Sequence, residues 1–307
     1  MMAEAADPAE LARAGRFAEA VAAYEARYAE AERHFGPVHP ITLTAGNDVG
    51  FGYVLAGQPA RAIGILTRTL AAQRQVSGEK HRATITVMVN LAMALLNTSE
   101  AATAVKHLEV AIDLEREISG ENDPRTLTTE SNLAEAYLAA NRIADGTRVH
   151  ERVFHVRQRI LGPDHRDTLT SAHNLGHAYE AGQNYPRAIE IYETTLAACD
   201  RVLGPDHVDT LSTRNNLAAS YEMAGRITEA IALHERTLTD RRRVLGDAHI
   251  HTLNSANNLF VAYCTAERYT EAIALLEHTH AVCVRSLPSD HPTRQQIQQN
   301  LDMVRPR

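Results

Sequence analysis

His173 and His177, four residues apart and followed by Glu180, are the residues of this 307-residue chain best spaced for chemistry. On a helix, positions three and four apart share a face, so the three side chains would line up along one stripe. Glu135 stands 42 residues before His177 and would lie alongside it if the two segments are neighbouring helices. Two imidazoles and two carboxylates can ligate zinc, act as an acid/base pair, or grip a polar partner. A solvated polar stretch is the fourth reading, and the sequence leaves all four open.

The other histidines have a plainer explanation. Of the 16 in the chain, His39, His81, His165, His207, His249 and His291 form a column at a fixed spacing. Packed helices lie roughly 8 to 10 Å apart, and a whole hairpin separates successive members. They cannot share one ion, whose bonds to nitrogen are about 2 Å long. Helix capping and contacts between repeats are expected of them. Cys199, Cys264 and Cys283 are odd in number, far apart and without metal-ligand spacing. They read as small buried hydrophobes in a reducing, cytoplasmic setting. No nucleophile elbow, P-loop, dinucleotide fingerprint, CxxC or HExxH motif occurs. The expectation is therefore a protein that is not an enzyme, with no catalytic residue, no cofactor and no metal.

Composition narrows the partners. A formal charge of −7 and a pI near 6.1 disfavour nucleic acid unless one face is locally basic. The one basic run, Asp240-Arg241-Arg242-Arg243, falls where a helix ends and reads as a solvated terminus that complements the helix dipole. The opening residues, MMAEAADPAE, are acidic where a secretory leader would be basic and then apolar. No stretch approaches the roughly 18 apolar residues of a membrane span. No nucleic acid and no membrane are expected, whereas a homo-oligomer is compatible with the sequence.

What positions these residues is a repeat. The segment from Leu161, LGPDHRDTLTSAHNLGHAYEAGQ, aligns with that from Leu203, LGPDHVDTLSTRNNLAASYEMAG, at an offset of 42. The same offset carries a Gly column (Gly36 to Gly246), a Thr column (Thr42 to Thr252), an Asx column (Asp48 to Asn300) and a mostly Tyr column (Tyr53 to Tyr263) without any insertion. Each unit reads as two helices, for example Val208 to Ala224 and Ile227 to Leu245, with apolar residues at helical spacing. Gly225 turns the hairpin, and its equivalents are Gly57, Ser99, Asn141, Gln183 and Glu267. Each second helix closes at the Gly column, and each first helix opens at a cap such as His39, Asp123 or His291, followed by Pro. Six full repeats over residues 40–287 are expected. A partial repeat over 7–35, with helices Pro8 to Ala14 and Phe17 to Phe35, would precede them, and a capping helix over 292–305 would follow. Together they make one solenoid over 1–307, with no room for a separate catalytic or DNA-binding domain. Gly146-Thr147 replaces an Ala-Ile pair and marks the repeat from Pro124 to Leu161 as a candidate flexible one.

Leu175-Gly176-x2-Tyr179 and Ala188-x3-Tyr192 approximate the L-G-x2-Y and A-x3-F signature of the tetratricopeptide repeat, although its Trp position holds Arg214 and equivalents. With its 42-residue period, the chain resembles the variant found in kinesin light chains and in many actinobacterial repeat proteins, where such arrays often trail an NTPase or regulatory domain. The resemblance spans nearly the whole chain. It implies an all-α fold, an α-solenoid in which antiparallel helical hairpins stack into a right-handed superhelix, with first helices lining a concave groove.

It further implies that the two positions before the Leu of the signature face that groove. These include Asn47, Asn90, Asn132, Asn174, Asn215, Asn216, Asn257 and Asn258. An Asn amide offers donors and an acceptor to the backbone of an extended peptide, although a near-invariant Asn can equally tie neighbouring repeats together. The varied column Asn47, Val89, Ser131, His173, Asn215 and Asn257 would then set specificity. The expected function is a non-enzymatic scaffold or adaptor for a protein or extended peptide, which Glu135, His173, His177 and Glu180 would also contact. A regulatory receptor for a small signalling peptide or metabolite is the second reading, and a metal or enzymatic site at the His173/His177 cluster the third.

Overall fold

The turn between repeats dictates where helices start and stop. In the computed structural model of the chain, which describes residues 7–304, the Nδ1 atoms of His39, His81, His165, His207, His249 and His291 each accept the backbone N–H two residues on, at 3.2–3.3 Å. Asp123 does the same through Oδ1 at 2.9 Å. Each cap satisfies one of the orphan donors of a helix start. Upstream, the Gly column takes φ between 81° and 92°, which ends the preceding helix where a side chain would be strained. Thr84, Thr126 and Thr210 then donate to the carbonyls of Gly78, Gly120 and Gly204 at 2.7–2.9 Å, which closes the turn.

Fifteen helices result among the described residues. They are α1 (Pro8–Arg13), α2 (Phe17–Phe35), α3 (Pro40–Leu55), α4 (Pro59–Ser77), α5 (Arg82–Leu96), α6 (Ala101–Ser119), α7 (Pro124–Ala139), α8 (Ile143–Leu161), α9 (Arg166–Ala181), α10 (Tyr185–Val202), α11 (Val208–Met223), α12 (Ile227–Leu245), α13 (Ile250–Thr265), α14 (Tyr269–Ser286) and α15 (Pro292–Val304). No strand occurs among them. Helices α1 and α11 each end one residue short of expectation, at Arg13 and Met223, and residues 1–6 and 305–307 of the expected array lie outside the described residues.

The chain divides inside α8 into two compact units, the first ending at Val153 and the second beginning at Phe154. In the first, each of α1 to α6 packs on the next helix, and α3, α5 and α7 also touch in series. In the second, the same holds for α9 to α15, with α9, α11, α13 and α15 in series. This is the packing of an α-solenoid. The first unit is centred on a continuous aliphatic core that includes Leu66, Ile85, Met88, Leu108 and Ile112. The second has one cluster around Leu253, Phe260, Leu276 and Ile297 and a smaller one around Tyr192 and Leu217. Full burial of each such side chain contributes about 1.5 to 3 kcal/mol.

Aromatic clasps tie each first helix to the second helix of the preceding hairpin. Tyr137, Tyr221 and Tyr263 donate to Glu109, Glu193 and Glu235 at 2.6–2.8 Å, and Arg142, Arg226 and Arg268 lie 4.1–4.5 Å over the rings. Burial first, then donation to the carboxylate, pushes Tyr221 and Tyr263 up to about 12. At Tyr53, which donates to Glu25, the arginine position holds Gln58 and Arg61 covers the ring from the next turn.

At the hairpin turns Gly57, Asn141, Gln183, Gly225 and Glu267 take positive φ, whereas at Ser99 the φ is not positive and the preceding Thr98 hydroxyl donates to the Leu95 carbonyl. At Gly146, in the repeat expected to be the flexible one, α8 runs unbroken, and a Cβ there would meet the Ala134 carbonyl oxygen at 2.9 Å and Leu138 Cδ2 at 2.7 Å. Its lack of a side chain lets α8 approach α7 closely.

Candidate functional site

The Asn column works first as a set of ties. Asn90 Nδ2 donates to Asn47 Oδ1 at 2.8 Å in the first unit. In the second unit Asn258 donates to Asn215 at 3.2 Å and Asn300 to Asn257 at 2.6 Å. Asn216 Nδ2 lies 3.3 Å from Nε2 of His173. In every case the nearly invariant column reaches back to the varied column of the preceding repeat. Each tie uses an amide N–H of the Asn, and the Asn300 oxygen also accepts from Gln296 Nε2 at 2.9 Å and the Asn216 oxygen from Asn215 Nδ2 at 3.5 Å. Asn132 is half-buried and has no such tie, since its counterpart on α5 is Val89, which has no acceptor. Asn174 is also half-buried.

His173 is held on both ring nitrogens. Nδ1 lies 3.3 Å from Thr213 Oγ1, and Thr213 itself donates to the Asp209 carbonyl, so the hydroxyl is left to accept. A single tautomer, protonated on Nδ1, satisfies both contacts. Glu180 is half-buried and accepts from Ser220 at 2.6 Å and Tyr192 at 3.1 Å. Burial raises its pKa, partly opposed by these two donors and by His177. His177 is exposed. In the first unit, Glu135 lies 3.1 Å from Nε2 of the buried His150. Among the described residues, no group of three or more His, Cys, Asp or Glu side chains is placed to hold a metal ion.

Five of the expected partner-contacting residues do converge. His173, Asn215, Asn216, Asn257 and Asn258 line a cavity of about 610 Å³ on the first-helix face of the second unit, with Gln296 of α15 on its far wall. The same cavity contains residues that sequence reasoning missed, chiefly Arg241, His251 and Asn254. Arg241 belongs to the run read as a solvated helix end, and that reading fails for it. Arg243 is exposed and pairs with Asp206 and Asp240, and Arg242 pairs with Asp247 at 3.2 Å, but Arg241 is only 4% exposed. The period held the signal: Ala31, Gln73, Glu115, Arg157, Cys199, Arg241 and Cys283 form one column, buried at every position. Cys199 and Cys283 are free and buried, as expected of small hydrophobes, and Cys264 is half-buried.

A tetratricopeptide repeat model matches residues 44–117, 83–145, 125–198, 173–243 and 213–283. The chain belongs to the tetratricopeptide repeat family. Among solved structures, the nearly identical repeats of a kinesin light chain-like protein from Podosopora anserina share 25% identity, covering 67% of this chain and 97% of that one with a TM-score of 0.60. BtubC (BKLC) from P. vanneervenii shares 20% identity over 76% of this chain and 94% of that one, with a TM-score of 0.63. The signal-transduction ATPase PH0952 from Pyrococcus horikoshii, which carries a tetratricopeptide repeat sensor, shares 14% identity over 94% of this chain and 41% of that one, with a TM-score of 0.69. No curated protein matches in sequence. As a tetratricopeptide repeat protein the chain has the scaffold typical of protein–protein interaction, and no helix among its described residues is long and apolar enough to cross a membrane.

Proposed function

We propose that this tetratricopeptide repeat protein is a non-enzymatic adaptor that binds an extended segment of a protein or peptide along its first helices. The observation that carries the reading is the cavity of about 610 Å³ in the second unit, lined by polar side chains of the first helices α9, α11 and α13, among them His173, Asn215, Asn216, Asn257 and Asn258. Fixed polar groups at a spacing of one repeat suit an extended backbone, whose own groups lack partners. Asn47, Asn90 and Asn132, with Glu135, offer polar groups of the same kind on the first helices of the first unit, and Asn174, with His177 and Glu180, on α9 of the second. The test is affinity isolation with wild-type protein beside an Asn132→Ala/Asn174→Ala/Asn216→Ala variant and a cavity-filling Asn254→Trp variant, all verified as folded. A partner retained by wild type and lost by both variants supports the groove. A partner that binds all three equally would place function on the second-helix face.

A receptor for a small ligand is the alternative. It is favoured by a second cavity of about 220 Å³, lined by Leu169, Cys199, Leu203 and His173 and less polar than the first. A metabolite that raises the melting temperature of wild type but not of Cys199→Phe would support it.

A further inference from the structure

Between consecutive first helices the stack leaves a slot, and the buried column on the second helix decides what fills it. Arg157 and Arg241 fill theirs with a guanidinium. Arg241 Nη1 donates to Ser255 Oγ at 2.6 Å and to the His251 carbonyl at 3.1 Å, and Nη2 to Ser212 Oγ at 3.4 Å. Arg157 Nη1 repeats the first two contacts, with Ser171 Oγ at 2.8 Å and the Asp167 carbonyl at 3.4 Å. The accepting serine belongs to a column of its own, which reads Ala45, Val87, Thr129, Ser171, Thr213, Ser255 and Ile297. A hydroxyl is kept at Thr129, Ser171, Thr213 and Ser255, and only the second and fourth of these have an arginine to use it. The other two face Glu115 and Cys199.

Glu115 of α6 is 6% exposed and borders a cavity of about 290 Å³ in the first unit. Thr86, Arg125 and Thr129 line the same cavity, and they are the equivalents of Ser212, His251 and Ser255 around Arg241. Thr86 donates to the Arg82 carbonyl at 3.0 Å, which leaves its oxygen free to accept. The acceptors of an arginine slot are therefore in place without an arginine, and the residue that stands there adds another. Glu115 Oε2 is buried with no hydrogen-bond partner, and the carboxylate has no ion pair. Burial raises its pKa; Arg82, exposed and donating to Ser119 at 3.3 Å, opposes the shift, Asp123 adds to it and Ser119 opposes it. A buried carboxylate is costly unless paired. The slot at Cys199 has similar walls, Thr170, Asp209 and Thr213, around a cavity of about 220 Å³, but its thiol offers no charge.

We propose that the cavity beside Glu115 binds the guanidinium of a ligand, which takes from outside the place that Arg157 and Arg241 take in their own repeats, with Glu115 as its counterion. The five donors of a guanidinium suit a carboxylate, two hydroxyls and a carbonyl, whereas an ammonium brings three donors and a point charge. Arg82 and Arg125 are exposed and screened by solvent, while the carboxylate is not, so an entering cation is drawn chiefly to Glu115. The guanidinium can come from an arginine side chain of a peptide or from a small guanidino compound. Naming a peptide as the source rests on the adaptor reading above, but the guanidinium site does not.

Two measurements on the full chain test it. In the first, methylguanidinium is titrated at constant ionic strength while threonine methyl resonances are followed by NMR, with Thr86 and Thr129 assigned by their loss in Thr86→Ser and Thr129→Ser. A saturable shift of both is expected, about tenfold weaker or more in Glu115→Gln and absent in Glu115→Arg, which fills the slot from within. The column already holds Gln73 and Arg157, so both variants should fold, as melting temperatures will check, and Glu115→Gln decides alone if the arginine is not accommodated. In the second, pools of random heptapeptides are selected on immobilised wild type and Glu115→Arg. Arginine enriched at a fixed position on wild type alone identifies a peptide side chain as the source. If methylguanidinium saturates the site but no peptide is enriched, the adaptor reading fails and the guanidinium site stands, with a small guanidino compound as its ligand. If peptides are enriched without arginine while methylguanidinium saturates the site, both readings stand and the guanidinium again comes from a small compound. If Thr86 and Thr129 do not respond, or respond equally in Glu115→Gln, the guanidinium site is wrong, whichever way the adaptor reading falls.

Discussion

In the first unit Glu130 of α7 is 1% exposed and is gripped by Arg116 at 2.8 Å and by Arg152. In the second unit the residue two repeats later, Arg214 of α11, is 0% exposed and is gripped by Asp200 and Asp240. The position is the same and the sign is reversed, with Arg116 and Asp200 themselves equivalent. A second pair of positions behaves alike. Glu115 is buried beside a cavity of about 290 Å³ in the first unit, and Arg241, three repeats on, is buried beside the larger cavity of the second. Stacking is thus indifferent to which charge occupies a column, provided that neighbours answer it. At Arg241 a serine hydroxyl and a backbone carbonyl of the next first helix accept from Nη1 instead, and the same two contacts are made two repeats earlier by Arg157 with Ser171 and the Asp167 carbonyl.

Breaking the paired columns should give the largest effects. Glu130→Arg would place a buried guanidinium beside those of the half-buried Arg152 and the exposed Arg116 in the first unit, and Arg214→Asp would gather three carboxylates in the second, each costing about 3 to 5 kcal/mol in chemical denaturation. The triple exchange Arg116→Asp/Glu130→Arg/Arg152→Asp, which imposes the second unit's sign on the first, should recover most of that loss. Failure to recover would mean that the columns are not interchangeable.

The next difference is in pH dependence. His234 of α12 is 0% exposed, with Arg241 as its charged neighbour and Glu222 at 4.0 Å, and burial pushes it down to about 4. The unfolded chain therefore takes up a proton near pH 6.5 that the folded chain refuses until about 4. Stability in this column is complete above about pH 6.5 and falls by roughly 3 kcal/mol as the pH drops to about 4. The same column holds Leu66 and Leu108 in the first unit, so His234→Leu should fold normally and lose less stability than wild type over that window. Equal losses in the two proteins would contradict the burial of a neutral imidazole.

Close approaches come third. A Cβ at Gly146 in the first unit meets a backbone oxygen, and one at Gly176 in the second meets the Tyr192 ring at 2.5 Å. Alanine at either should cost about 1 to 3 kcal/mol despite its better helix propensity. Gly64, exposed on α4 with nothing within 4 Å, is the control, and alanine there should stabilise by about 1 kcal/mol. Smallest are the hairpin turns of the second unit, where Gln183 and Glu267 hold φ near 57° and 59° while Gly225 does so freely. Glycine at either position should stabilise by about 0.5 kcal/mol, the relief of strain slightly exceeding the added chain entropy.

Much of this was legible without coordinates. An unbroken 42-residue period fixes helix starts at the His and Asp caps and helix ends at Gly, because those residues solve a local backbone problem wherever they occur. The site was only half legible. Asn215, Asn216, Asn257, Asn258 and His173 stand where the groove was expected, but the use of the Asn amides to tie repeats together depends on the identity of a residue 43 positions earlier, which one column alone does not reveal. Arg241 was hidden by its neighbours. Flanked by Arg242 and Arg243 it looks like part of a solvated run, and only its own column, buried from Ala31 to Cys283, shows that it points inward. The carboxylates of Glu135 and Glu180 answer groups that lie far off in sequence, His150 in one unit and Ser220 in the other.

Photo-crosslinking tests the central claim most directly. A benzoylphenylalanine at Asn254, on the cavity wall of α13, is compared with one at Glu190, exposed on the second helix α10, in the presence of the isolated partner. A crosslinked product from Asn254 and none from Glu190 is the predicted result; a product from Glu190 alone would contradict the account.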